Sequence, residues 1–212
     1  MATTITPRKD GEIENNVATL PTMTTYVFDK FFSGVVYGRD DLNLTEFEEC
    51  VFTDCDFTAT NCIGLTFISC TFRRCRFDGA QLNHTAYRTV FFEECRFGGC
   101  NFAMSDKLIF EVHFTDCILD FAKFYGLRMN AATFTRCSLV AVDFMACDLQ
   151  NVVFDQCDLY RAEFEKADAR RCDFSSSRNY TLHPGRTKVQ RALFSRDGLA
   201  GLVSGFGVQV VE

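Results

Sequence analysis

A repeat of five residues organises most of the chain, because an apolar residue returns at every fifth position. One series of these positions, which we call centres, runs from Leu42 to Phe102, and a second series, displaced by two residues, runs from Phe114 to Phe174. Each series has 13 centres and all 26 are apolar, although only 47% of the chain is hydrophobic. Chance would produce this run with a probability on the order of 10⁻⁸, so the repeat is genuine.

A second position of the repeat, two residues before each centre, holds small side chains. Eleven of the twelve cysteines lie there, and the twelfth, Cys62, is itself a centre. A unit with two inward and three outward side chains matches neither the 3.6-residue period of an α-helix nor the two-residue period of a strand. It predicts one straight side of a square coil. The eleven cysteines are Cys50, Cys55, Cys70, Cys75, Cys95, Cys100, Cys117, Cys137, Cys147, Cys157 and Cys172.

The sequence also repeats every 20 residues, which is the length of four units. Stepping by 20 from Phe114 reaches Phe134, Phe154 and Phe174. Like side chains can stack along a solenoid whose successive turns pair as strands about 4.8 Å apart. The predicted fold class is therefore all-β, a parallel β-helix with four sides to each turn.

The cysteines and histidines do not combine into a predicted site. Cysteines stacked in parallel do not face each other as the two halves of a disulfide must, so we expect reduced thiols. His84, His113 and His183 fall outside the inward positions, which argues against tetrahedral metal binding. The chain also has no glycine-rich phosphate loop and no predicted pair of buried carboxylates. We therefore expect no catalytic residues, no metal, no cofactor and no enzymatic activity.

The distribution of charge argues against direct binding of nucleic acid. The chain carries 22 Lys and Arg against 28 Asp and Glu, a net charge of −6, whereas phosphate binding needs a basic surface. Residues 41–177 hold 21 acidic and 13 basic side chains, while residues 178–212 hold two acidic and five basic ones. The chain has no run of 18 apolar residues and no visible export signal, so we expect a cytoplasmic protein without a membrane span.

Several units resemble those of a known family. Ala167-Asp168-Ala169-Arg170-Arg171, Cys172-Asp173-Phe174-Ser175-Ser176 and Cys147-Asp148-Leu149-Gln150-Asn151 each place a small residue, Asp, an apolar residue and two variable residues in order. This unit is similar to that of the pentapeptide-repeat proteins, and the resemblance covers about two thirds of the chain. Membership of this family implies a right-handed quadrilateral β-helix.

The repeat divides the chain into three predicted parts. Residues 1–24 are expected to form a flexible N-terminal segment, and residues 25–178 the β-helix, with a break in register at 103–113. Residues 179–212 are expected to form a final partial coil, a small helical cap and an apolar tail. This last part is the predicted cap and dimerisation module, with Leu199, Leu202, Val203, Phe206, Val208 and Val210 as its contact residues.

The order of final coil, short helix and apolar tail resembles a narrower branch of the family. This branch protects topoisomerases and includes the Qnr-type quinolone-resistance proteins and the albicidin and microcin self-resistance proteins. The segment Phe124-Tyr125-Gly126-Leu127 is also similar to that branch. The resemblance implies a homodimer formed through the C-terminal module, a rod that imitates duplex DNA, and DNA gyrase or topoisomerase IV as the protein partner.

Three groups of residues are candidates for contact with a partner. The acidic cluster Glu46, Glu48 and Glu49 is not explained by the repeat, whereas acids such as Asp143 stand where the repeat itself favours Asp or Asn. The break in register is either a structural kink or a partner contact, and two aromatic residues occupy outward positions. The candidates from the break are Asp106, Lys107 and Phe110, and the outward aromatics are Phe121 and Tyr125.

Two functions remain open on the sequence alone. The first is a DNA-mimicking protein that binds a type II topoisomerase and protects it from inhibitors, either in general antibiotic resistance or in self-immunity against one natural product. The second is a structural or scaffold β-helix that binds an unrelated protein, because a shared fold does not imply a shared task.

Overall fold

A computed structural model describes residues 25–42, 45–206 and 208, and it shows ten short strands followed by a C-terminal helix. The strands are β1 Thr25–Phe28, β2 Phe31–Ser33, β3 Thr45–Glu48, β4 Val51–Thr53, β5 Thr66–Ile68, β6 Thr71–Arg73, β7 Ala86–Glu93, β8 Phe110–Thr115, β9 Thr133–Thr135 and β10 Val153–Asp155. The predicted N-terminal segment 1–24 lies outside the described residues.

Every strand pairs in parallel with strands one turn away in the sequence. Phe52 of β4 lies opposite Phe32 of β2 and Phe72 of β6, so the register advances by 20 residues at each turn. The sides without regular strands are joined by isolated parallel bridges, such as that between Asp56 and Arg76. The predicted all-β class and parallel β-helix are therefore confirmed.

The corners of the coil explain why the unit has five residues. The residue two positions after a centre adopts a left-handed backbone conformation, as in Asp54 with a φ of 55°, Arg74 with 51° and Gly79 with 69°. A single left-handed residue turns an extended chain sharply, and glycine does so without steric cost. One such turn after each straight side closes the square.

The core consists of stacked aromatic rings. Nine phenylalanines, one from each successive turn, form a continuous column with adjacent ring centroids 4.6–5.3 Å apart. Rings of neighbouring columns meet edge to face, as Phe134 and Phe144 do at 5.7 Å and 80°. Both arrangements are favourable for aromatic pairs. The column comprises Phe32, Phe52, Phe72, Phe92, Phe114, Phe134, Phe154, Phe174 and Phe194.

The small inward position often holds a hydrogen-bond donor. The Cys55 thiol donates to the Phe32 carbonyl at 3.7 Å, and the Thr60 hydroxyl donates to the Tyr37 carbonyl at 3.1 Å. Ser177 donates in the same way, to a carbonyl 23 residues earlier in the chain. These side chains fill the position and also satisfy carbonyl groups inside the coil.

All twelve cysteines are buried and free, as the sequence predicts. Burial raises the pKa of the thiols of Cys62, Cys100, Cys147 and Cys172 to about 12. These four thiols therefore stay protonated at neutral pH, and a protonated thiol is a poor nucleophile and metal ligand.

The break in register is a loop between a 3₁₀ turn, Phe102–Met104, and strand β8. Tyr87 pairs with Phe110 but Val90 pairs with Val112, so β7 and β8 are joined through a bulge. The thiol-to-carbonyl bond of Cys117 accordingly spans 25 residues, where the others span 23. The two extra residues are absorbed locally, and the coil resumes beyond them.

The C-terminal cap contains helix α1, Ala200–Val203, between the 3₁₀ turns Asp197–Leu199 and Ser204–Phe206. The Leu182 amide donates to the Gly201 carbonyl at 3.1 Å, which ties the helix to the last coil. A Cβ atom at Gly201 would overlap the Tyr180 carbonyl. Glycine is therefore required at this close approach, and the predicted helical cap is confirmed.

Of the parts of the chain that the structure describes, none contains a helix with the length and apolar character of a membrane span.

Candidate protein-binding surfaces

The predicted glutamate cluster forms a continuous acidic patch at the N-terminal end of the coil. Glu46 and Glu48 point outward from β3, and Glu49 occupies the exposed corner that follows. The Tyr26 hydroxyl donates to Glu48, and this bond is the main reason that the pKa of Tyr26 is raised to about 12. Within the described ranges, no Lys or Arg forms an ion pair with these three glutamates, so the patch keeps its negative charge.

The aspartates of the repeat have a structural task instead. Asp143 accepts a hydrogen bond from the Met145 amide at 2.8 Å, and Asp173 accepts one from the Ser175 amide at the same distance. This Asx turn shapes the chain directly after a bridge position. The same bond, from the amide two residues later, is made by Asp148, Asp158 and Asp168. The observed bonds favour the structural interpretation of these acids.

The three candidates from the break in register separate in the structure. Asp106 accepts hydrogen bonds from the Leu108 and Ile109 amides at 2.8 and 3.0 Å, so it shapes the loop. Lys107 is exposed. Phe110 is only 7% exposed and packs edge to face against Tyr87. The prediction of Phe110 as a partner contact is therefore wrong, because the shift in register turns this side chain into the core.

The outward aromatic residues are exposed as predicted. Phe121 is 63% exposed and Tyr125 is 53% exposed on the same coil. Another outward aromatic, Phe91, stacks on His113 with ring centroids 4.9 Å apart. Exposed aromatic rings on a regular solenoid are apolar surface that a protein partner could cover.

The predicted dimerisation residues divide into exposed and packed groups. Leu199, Phe206 and Val208 are each about half exposed at 49%, 57% and 54%. Leu202 packs against the core cluster and holds the helix in place, and Val203 is half-buried. Val210 lies outside the described residues. The cap thus presents an apolar surface at the C-terminal end of an acidic coil.

The described residues contain no group of three or more His, Cys, Asp or Glu side chains that could hold a metal ion. With the thiols inside the core, the outward side chains are suited to binding another macromolecule rather than to acid, base or nucleophilic chemistry.

Comparison with known proteins identifies the repeat. The family model for the pentapeptide repeat region matches residues 107–179, and that for pentapeptide repeats (9 copies) matches residues 47–87. No curated protein matches the sequence.

Among solved structures, the chain is similar to HetL, a pentapeptide repeat protein involved in heterocyst differentiation regulation from the cyanobacterium Nostoc sp. strain PCC 7120. The identity is 11% and the TM-score 0.68, over 81% of this chain and 85% of HetL. It is also similar to a trypsin-treated variant of QnrB1, a plasmid-mediated fluoroquinolone resistance protein, at 18% identity and a TM-score of 0.42, over 89% of this chain and 100% of that one.

The two repeat models match separate parts of the same observed coil, on either side of strand β7, and the HetL structure shares the fold. The chain therefore belongs to the pentapeptide-repeat proteins.

Proposed function

We propose that this chain is a non-catalytic, dimeric interaction protein that binds a type II topoisomerase, DNA gyrase or topoisomerase IV, in place of DNA and protects it from inhibitors. The observation that carries this proposal is the exposed apolar surface of the cap at one end of an acidic rod. A second copy of the chain would cover that surface and place two coils end to end. The sequence resemblance of the same module to the topoisomerase-protecting branch supports this assignment.

The dimensions of the coil set how closely the dimer could imitate DNA. Eight steps along the phenylalanine column, at about 4.8 Å each, give roughly 38 Å per chain and about 75 Å for two. Duplex DNA of that length carries about 45 phosphates, whereas residues 41–177 carry a net charge of −8 in each chain, from 21 acidic and 13 basic side chains. Shape and local acidic patches must therefore provide most of the recognition.

The cap surface gives the first test of the proposal. The double variant Leu199→Glu, Phe206→Glu should be monomeric, because it places two charges in the apolar contact. Sedimentation equilibrium should give twice the 24.1 kDa of one chain for the unmodified protein and the mass of one chain for the variant. Val153→Glu, at a 42% exposed position in the middle of the coil, is the control and should remain dimeric. A monomeric unmodified protein would remove the dimer from the proposal.

The glutamate patch gives a second test. The double variant Glu46→Lys, Glu49→Lys should bind gyrase at least tenfold more weakly than the unmodified protein, because it reverses charge on a surface that would face the DNA-binding residues of the enzyme. Glu48 is left unchanged because it accepts the Tyr26 bond. Surface plasmon resonance at several salt concentrations measures the affinity. The matched control Glu163→Lys, Glu165→Lys changes the charge equally at another site, and an equal loss there would exclude a specific role for the patch.

A scaffold function with an unrelated partner is the second candidate. The Asx turns favour it, because the fold itself explains the aspartates that would otherwise support charge mimicry. The glutamate patch and the exposed aromatics would then serve a different protein, and gyrase would show neither binding nor protection.

A further inference from the structure

The break in register creates a groove on the side of the coil. The loop that precedes β8 stands away from the turns on either side, and the resulting space has a volume of about 450 Å³. This volume lies within the range of sites for small molecules. The buried rings of Tyr87 and Phe110, 2% and 7% exposed, form part of its lining.

Three cationic side chains from three different segments line this groove. Arg88 comes from β7, Lys107 from the loop and Arg128 from the turn beyond, and all three are exposed. The Asn130 side chain adds a potential amide donor, and Glu111 is the one carboxylate of the lining. Glu111 already accepts a hydrogen bond from the Thr89 hydroxyl at 3.0 Å.

These cations differ from many arginines elsewhere on the coil. Arg74 forms a two-pronged bond with Asp54, and Arg136 forms one with Asp116, in each case across neighbouring turns. In contrast, Arg88, Lys107 and Arg128 have no ion pair with any residue in the described part of the chain. Three unpaired cations against one carboxylate give the groove a net charge of +2, on a coil domain whose overall charge is negative.

We propose that this groove binds a small phosphate-bearing ligand. Two guanidinium groups offer paired N–H donors that match the oxygens of a phosphate, and a lysine adds a third positive charge. Such a ligand supplies the two or more negative charges that balance the groove, and the aromatic lining leaves room for an apolar or planar group attached to the phosphate. This site is separate from the glutamate patch and the cap, so it neither requires nor excludes topoisomerase binding.

Isothermal titration calorimetry of the full chain at low salt tests the site, with inorganic phosphate, pyrophosphate, ATP, citrate and adenosine as probes. We expect saturable one-to-one binding of pyrophosphate or ATP, weakening as salt is added. The double variant Arg88→Gln, Arg128→Gln should weaken that binding at least tenfold. Arg161→Gln, Lys166→Gln removes two exposed charges outside the groove and should bind like the unmodified protein. Circular dichroism checks that each variant is folded, and Lys107→Gln in the exposed loop provides an independent variant.

Each outcome of this titration decides a part of the proposal. Binding of inorganic phosphate and pyrophosphate would show that the oxyanion itself is recognised, and binding of ATP alone would show that the attached group is also needed. The proposal is overturned if no phosphate probe binds saturably, if citrate binds more tightly than pyrophosphate, or if the control variant loses as much affinity as the groove variants.

Discussion

Replacing Phe134 with alanine should lower the free energy of unfolding by about 3–5 kcal/mol. Phe134 is fully buried, and its ring stacks between Phe114 and Phe154 with centroids 5.3 and 5.2 Å away. Rings from the adjacent column also contact its edge, at 6.1 and 5.7 Å. The substitution removes all of these contacts and leaves a cavity that the rigid turns cannot close. Because small domains are stable by only about 5–15 kcal/mol, this loss is a large fraction of the total.

Urea unfolding followed by circular dichroism measures this effect. Phe121→Ala, at a position 63% exposed on the same coil region, is the matched control and should change the free energy of unfolding by less than about 1 kcal/mol. Equal losses for Phe134→Ala and Phe121→Ala would show that the stacked column does not stabilise the fold as described.

Raising the pH from 8 to 10 should destabilise the protein strongly in reducing buffer. The pKa values of Cys62, Cys100, Cys147 and Cys172 are raised to about 12 by burial, whereas an unfolded thiol has a pKa of about 8.5. Since the folded pKa is the higher one, the stabilisation is fully present below pH 8.5 and is lost as the pH rises towards 12. At pH 10 the four thiols together should remove about 8 kcal/mol from the free energy of unfolding.

Replacing Cys147 and Cys172 with alanine tests the cause of that loss. Alanine already occupies the same inward position at Ala122 and Ala132, so the substitution suits the coil. About 4 kcal/mol of the loss at pH 10 should disappear in this variant. The measurement is urea unfolding at pH 8, 9 and 10, and an unchanged pH dependence in the variant would attribute the alkaline loss to other groups.

The periodicity of the sequence was sufficient to predict the coil. A side chain that returns every five residues can face one interior only if the chain turns once per unit, and like residues 20 apart then stack. The phenylalanine column and the buried cysteines follow directly from that geometry. The hydrogen bonds made by the inward cysteine, serine and threonine side chains could not be predicted, because small size alone explains the same pattern.

The break in register shows where periodicity stops being informative. Two extra residues can be absorbed at several places, and only the pairing of Tyr87 with Phe110 and of Val90 with Val112 fixes where they are absorbed. This pairing buries Phe110 and exposes Lys107. The sequence assigned Phe110 to the surface because the hydrophobic pattern in this segment fits neither register.

The candidate surfaces were predicted unevenly for the same reason. The glutamate patch lies within the regular repeat, so its outward orientation followed from the sequence. The cationic groove depends on side chains from separate turns, and the sequence analysis did not find it. Arg88 and Arg128 are 40 residues apart, which is two turns, and this spacing beside an irregular segment was the one available signal.

A DNA gyrase supercoiling assay tests the proposed function most directly. Purified protein is titrated into reactions with and without a fluoroquinolone, and the monomeric cap variant Leu199→Glu, Phe206→Glu serves as the control. We expect the unmodified protein to restore supercoiling in the poisoned reaction, or to inhibit gyrase at higher concentration, and the cap variant to do neither. An unmodified protein without effect in both reactions would contradict topoisomerase binding and favour the scaffold function.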